Sequence, residues 1–237
     1  DFAFLGDAAA DAVDVARIAF DDRIAVPGCF DASPRYAGRR GLAAYRRRVP
    51  LAAGRCHRLV LSGVHHWCRV FVGGAQLAEH VGGYTVFAVD IPAGPAAAAD
   101  LVVLVDNRID YDRCPLHLDY FDWYHYGGIA RGAELHTLGD PWIDSLRVVT
   151  TDLAAREVEV TLRYGCTAAG REAPLELALD GRPILRESLK VTAGGGSVSR
   201  RLRLQGTEPW TPRTPRLYTI TASLGDDDLA ERVGLRD

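Results

Sequence analysis

Methionine is absent from all 237 residues, lysine occurs once, at Lys190, and asparagine once, at Asn107. A chain with no initiating methionine is expected to be a fragment, a processed form or a partial record of a translation product. No stretch approaches the roughly 20 consecutive apolar residues of a membrane helix, and the acidic opening DFAFLGDAAADAVD has no basic region ahead of an apolar run. Neither a membrane span nor an export signal is expected. The 28 Lys and Arg against 31 Asp and Glu leave a formal charge of −3, which makes no electrostatic case for nucleic acid or an anionic membrane. Cys29, Cys56, Cys68, Cys114 and Cys166 are odd in number and include no C-x-x-C pair. They suggest neither a zinc site nor a complete disulfide framework; buried thiols are expected, with a reducing, cytoplasmic compartment favoured. The chain also lacks a G-x-S-x-G elbow, a phosphate-cradling G-x-x-x-x-G-K-[ST], a G-x-G-x-x-G and an H-E-x-x-H. No self-sufficient enzyme motif is present, and no cofactor is implied.

What is present is a composition able to build a core, 48% hydrophobic and 25% charged, which excludes a disordered or fibrous chain. Short alternating or β-branched runs recur between Gly, Pro and Asp breaks. They read as strands over Leu42–Val49, Cys56–Leu61, Trp67–Val72, Tyr84–Ile91, Leu101–Val105, Glu134–Leu138, Ile143–Thr150, Val158–Tyr164, Leu175–Leu179, Ser197–Leu204 and Leu217–Leu224. Gly73–Gly74 reads as a hairpin turn returning through Gln76–His80. Only the Ala-rich stretch near residues 8–18 suggests helix. The expected class is all-β. A break at Gly139–Asp140–Pro141 divides the chain into residues 1–140, which suit a jelly-roll sandwich, and 142–237, whose 96 residues match the roughly 100 of an immunoglobulin-like sandwich.

Most charged or metal-binding residue types have a bland reading. His65 and His66 stand beside Cys68, but neighbours on a strand point to opposite faces, so a shared ion is not expected there. Arg46–Arg48 and Arg200–Arg203 read as solvated faces, and Asp226–Asp228 as a hairpin turn. The segment 106–131, DNRIDYDRCPLHLDYFDWYHYGGIAR, is different. It crowds Asp110, Asp112, Asp119 and Asp122 together with Tyr120, Phe121, Trp123, Tyr124 and Tyr126 in one long loop. Carboxylates accept hydroxyl hydrogen bonds and aromatic faces stack on the C–H face of a pyranose, so the loop suits a sugar; the same aromatics also suit a plug at the end of a sandwich.

The pieces IAVPG at Ile24–Gly28, Gly41 to Tyr45, Val70–Val72 with Gly73–Gly74, HVGGYTVF at His80–Phe87, DWYHYGGIAR at Asp122–Arg131, WIDSLRVVTTD at Trp142–Asp152, PWTP at Pro209–Pro212, PRLY at Pro215–Tyr218 and RVGLR at Arg232–Arg236 occur in one order along the chain. In that order the sequence resembles the amino-terminal half of glycoside hydrolase family 2. The resemblance implies a galactose-binding-like jelly roll followed by an immunoglobulin-like sandwich, set before a catalytic (β/α)8 barrel that hydrolyses terminal β-galactosides or β-glucuronides with retention. The family's acid/base glutamate follows an asparagine, whereas Asn107 is followed by Arg108, so no catalytic residue is assigned to this chain. In the D-x-x-x-x-G-G pattern the resemblance makes Asp122 a substrate-binding residue, flanked by Trp123, His125 and Tyr126, with Arg131 fixing the loop by an ion pair. The implied partners are a β-glycoside bound through the complete enzyme and the barrel of the same parent chain, with no metal; homo-oligomerisation is left open. A free-standing carbohydrate-binding module and a structural or oligomerisation unit are the alternatives.

Overall fold

The computed structural model describes residues 1–110, 113, 124–167 and 170–236. The chain is all-β, as its patterning implies, and divides into two compact units, Asp1–Thr137 and Leu138–Asp237.

In the first unit a five-stranded antiparallel sheet has the order β1 (Phe2–Gly6), β3 (Leu42–Pro50), β9 (Ala98–Asp106), β6 (Trp67–Val72) and β7 (Ala75–Val81). A three-stranded sheet faces it, in the order β11 (Ala133–Thr137), β4 (His57–Leu61) and β8 (Phe87–Ile91). Alternate side chains of the two sheets, among them Phe2, Ala43, Tyr45, Val70, Val103 and Val105 against Leu59, Leu61 and Val89, form one core. Three very short strands, β2 (Gly28–Cys29), β10 (Gly128–Ile129) and β5 (Val64–His65), make a further ribbon with β10 in the middle.

The outer face of the five-stranded sheet is also buried. Leu42, Ala44, Trp67, Val102 and Leu104 are covered by Ala8, Ala10, Val13, Val15, Ile18 and Phe20. A strand buried on both faces reads as an unbroken apolar run, and LVVLV in β9 is such a run. The Ala-rich stretch expected to be helical is instead this cover, with single 3₁₀ turns at Ala10–Ala12 and Val15–Arg17. Its apolar residues have a flat sheet to lie on, so an extended path buries more of them than one helical stripe would.

The second unit packs the sheet β12 (Trp142–Asp152), β13 (Glu157–Gly165) and β16 (Gly196–Arg203) against a four-stranded sheet. That sheet has the order β15 (Arg182–Lys190), β14 (Glu172–Leu179), β17 (Tyr218–Leu224) and β18 (Asp227–Val233). Val158, Val160 and Leu162 of β13 meet Leu175, Leu177 and Leu179 of β14 and Ile220, Ala222 and Leu224 of β17. Asp180 and Gly181 join β14 to β15 with φ of 47° and 78°, the left-handed pair that a two-residue hairpin requires. The acidic run expected to be a turn splits: Asp226 turns, whereas Asp227 and Asp228 enter β18, and Asp227 Oδ2 accepts a hydrogen bond of 2.6 Å from the Ile143 N–H.

Cys29, Cys56 and Cys68 are free thiols, and burial pushes Cys68 up to about 12, far from the thiolate form. Among the described residues no helix is long and apolar enough to cross a membrane.

Candidate functional site

The long loop leaves the core at the end of β9 and returns through β10. Its departure is clamped by charge. Asp106 is 2% exposed, and Arg108 meets its carboxylate from Nε at 3.0 Å and from Nη2 at 2.6 Å while also donating to the Ala8 carbonyl at 3.0 Å. The Arg113 guanidinium pairs with Asp110 at 2.7 Å and lies over the Trp67 ring. A buried carboxylate met by a two-toothed guanidinium fixes the chain at Asp106–Arg108.

The return is fixed by the only asparagine. Asn107, fully buried, accepts from the Gly41 N–H at 2.9 Å and donates to the Arg39 carbonyl at 3.3 Å. Asp31, 4% exposed, accepts from the Gly127 N–H at 3.1 Å, and the Gly127 carbonyl in turn accepts from the Phe30 N–H. A Cβ on Gly127 would collide with the Asn107 side chain, so this approach of loop to core demands glycine. Desolvation raises Asp31 above the usual carboxylate range, with the Gly127 hydrogen bond working against it.

Beside this anchor three imidazoles are packed together. His66 and His125 stack with ring centroids 3.8 Å apart and planes 3° from parallel, and His65 donates from Nδ1 to the Tyr126 carbonyl at 3.1 Å. Tyr84 stands edge-on to His65 at 4.6 Å and to His66 at 6.0 Å. The expectation that His65 and His66 point to opposite faces is corrected here. The strand β5 ends at His65, so the strand alternation does not extend to His66, and both rings meet Tyr84. Desolvation, with neighbouring imidazoles and Arg40 adding to it, lowers His66 to about 3 and His125 to about 4. Both are therefore neutral at pH 7. The His66 Nε2 is buried with no hydrogen-bond partner. Among the described residues no group of three or more His, Cys, Asp or Glu is arranged to hold a metal ion.

Of the four residues singled out for sugar contact, Asp122 and Trp123 lie outside the described residues. His125 is 3% exposed, spending its face on His66, and Tyr126 is 44% exposed with its ring 4.5 Å from that of Tyr124. Arg131 is exposed and lays its aliphatic stem along Gly63; the ion pair expected with Asp122 lies outside the described residues. The loop's aromatic surface gains one member that sequence reasoning did not single out. Tyr84 is 59% exposed beside His65; the sequence marks it only as the start of an expected strand, which begins at Phe87 instead, and as part of the piece His80–Phe87. Asp31 gave no signal at all.

The described ends of this segment are thus tied to the first unit by buried polar groups, Asp106 and Asn107 at one end and Asp31 at the other. Over nearly its whole length the chain is similar to the amino-terminal part of glycoside hydrolase family 2 enzymes. No family model matches it. A family 2 β-galacturonidase structure from Eisenbergiella tayi superposes with a TM-score of 0.76 at 29% identity, covering 90% of this chain and 38% of that one. The β-glucuronidase of Paenibacillus borealis is 26% identical over 200 residues, covering 74% of this chain, and the human β-glucuronidase is 25% identical over 195 residues, covering 70%. The chain spans only 32% and 29% of those two relatives.

Proposed function

We propose that this chain is the non-catalytic amino-terminal part of a retaining exo-β-glycosidase that acts on terminal β-glucuronides or β-galactosides, where it helps shape the active site of a (β/α)8 barrel. The supporting observation is the match to a family 2 structure over 90% of this chain but 38% of the other, so that the larger part of such an enzyme lies outside the matched region. The names of the relatives, β-glucuronidases and a β-galacturonidase, favour an anionic sugar. Asp122 contacts a sugar hydroxyl, with Trp123 and Tyr126 beside it and His125 bracing the loop on His66. The partners are that carbohydrate and the barrel, and the free Cys29, Cys56 and Cys68 support a reducing, cytoplasmic setting.

Retaining hydrolysis needs two carboxyl groups roughly 5–5.5 Å apart, one as nucleophile and one as acid/base. The sequence has no Asn-Glu pair to supply the family's acid/base group. The purified chain is therefore expected to show no turnover of nitrophenyl β-glucuronide or β-galactoside. Activity that disappears on Asp119→Asn or Asp122→Asn would overturn the reading. In a barrel-containing protein carrying this region, Asp122→Asn should lower kcat/KM about tenfold or more, the loss of one charge-assisted hydrogen bond, with little change in Tm. Unchanged kinetics with a large fall in Tm would instead make Asp122 a loop-fixing residue.

A further inference from the structure

A groove of ≈ 900 Å³ opens in the first unit, lined by Tyr45, Arg47, Val49, Leu59, Leu101 and Leu135 among others. Among the described residues its rims are strand edges without a paired strand. The edge of β3 that carries β1 is covered only as far as Arg46, whose backbone exchanges hydrogen bonds with Asp1; from Arg47 to Pro50 no strand follows. Among the described residues the strand β11 pairs with β4 alone. The Ser62 N–H donates to the Gly132 carbonyl, which sets the phase of that ladder. Glu134 and His136 therefore turn their backbone towards β4, whereas Ala133, Leu135 and Thr137 turn their N–H and C=O groups outward along the groove.

The side-chain pattern adds a charge to this backbone template. Tyr45, Arg47 and Val49 share the inward face of β3, and Tyr45 and Val49 are buried. Arg47 is thus a cation at a core-facing register position, and among the described residues it has no ion-pair partner. The apolar floor below it is made by Val49, Leu59, Leu101, Val103 and Leu135.

We propose that the groove is a strand-recognition site. An extended peptide adds to the free edge of β11, its main chain bonded to Ala133, Leu135 and Thr137. Alternate side chains face the β3 wall, two of them apolar and one acidic against Arg47. Unpaired edge groups supply affinity that is independent of sequence, while the floor and the guanidinium select the pattern.

The test uses the whole 237-residue chain and an acetylated, amidated heptapeptide with threonine at odd positions and valine, glutamate and valine at the even ones. Fluorescence anisotropy with a labelled peptide gives Kd, and amide chemical shifts and exchange give the location. The expected result is saturable binding with new protection at Ala133, Leu135 and Thr137. Two peptides N-methylated at alternate amides should differ, the set that blocks the paired N–H groups binding about tenfold or more weakly, because a methylated edge cannot join the ladder. Arg47→Glu, checked for its fold by circular dichroism, should weaken the glutamate peptide about tenfold and favour the matching lysine peptide. Any of four results would overturn the proposal: no saturable binding, equal binding of both methylated sets, indifference to Arg47→Glu, or protection of β11 by self-association of the chain without peptide.

Discussion

A Trp67→Ala variant is expected to lose about 3–5 kcal/mol of stability, the range for truncating a buried indole, and to unfold with a clearly lower urea midpoint at unchanged slope. Trp67 is 2% exposed on the outer face of the five-stranded sheet, packed with Leu42, Ala44, Val102 and Leu104 under the extended cover. Its indole N–H donates to Glu79 Oε1 at 2.9 Å, and the guanidinium of Arg69 lies 5.0 Å from its ring centre. Removal therefore opens a cavity, leaves Glu79 without that donor and takes away the platform on which the long loop's Arg113 rests. Trp67→Phe should recover most of the loss, since the ring volume is largely kept while one partly exposed hydrogen bond goes. A Trp67→Ala midpoint within error of the wild type would mean that the cover, and not the indole, carries this face.

Acidification is expected to have the next largest effect. All seven histidines of the chain precede residue 138. His66 and His125 are held at about 3 and about 4, below the ordinary histidine value of 6.5. A group whose folded pKa is depressed takes up its proton first in the unfolded chain, so its stability is fully present above about pH 6.5 and drains away as the pH falls. Discounted for partial solvent access, the pair should withdraw about 2 kcal/mol between pH 7 and pH 5, a fall in Tm of roughly 4–8 °C. Of the other charged groups at the cluster, His65, also lowered, acts in the same sense, and Asp31 acts in the opposite one because its carboxyl is raised. The charge of Arg40 adds to the depression of both imidazoles. Amide exchange should show the loss in the first unit, and a His66→Phe, His125→Phe double variant should flatten the profile. A wild-type Tm that does not move between pH 7 and pH 5 would show that these imidazoles are not buried as neutral rings.

Every long interior strand is legible in the sequence, as are the edge strands β8, β11, β12 and β16, whereas the longer strands it conceals, β1, β15 and β18, are all edges. Central strands such as β9, β13 and β14 bury one or both faces and carry long apolar or strictly alternating runs. The strands β1, β15 and β18 stand at the ends of their sheets, and β15 and β18 are largely charged and exposed, with sequences RPILRESLK and DDLAERV. Edge strands are kept polar to discourage further pairing, which erases the periodicity by which they would be found. The candidate site divides in the same way. The loop 106–131 stood out because composition marks it, but its anchors, Asp31, Asn107 and the stacked His66 and His125, come from three separate stretches of chain. Their meeting is a product of tertiary packing: His125 is marked as a flank of Asp122 and His66 only as a strand neighbour of His65, and nothing in the sequence joins them to Asp31 or Asn107.

Asn107 also governs how this protein ages. Asparagine decays when the backbone nitrogen of the next residue attacks its side-chain carbonyl, and residues of this kind are among the thermolabile ones. Here that nitrogen, on Arg108, is committed to Asp106 Oδ1 at 2.9 Å, and the buried side-chain amide is pinned between the Gly41 N–H and the Arg39 carbonyl, which restricts the rotation the attack requires. The chain's one asparagine is thus protected while its neighbours hold it, and deamidation at Asn107 in an old preparation is the record of a local opening there. Mass spectrometry of stored protein becomes a slow clock for local unfolding at the place where loop and jelly roll are joined.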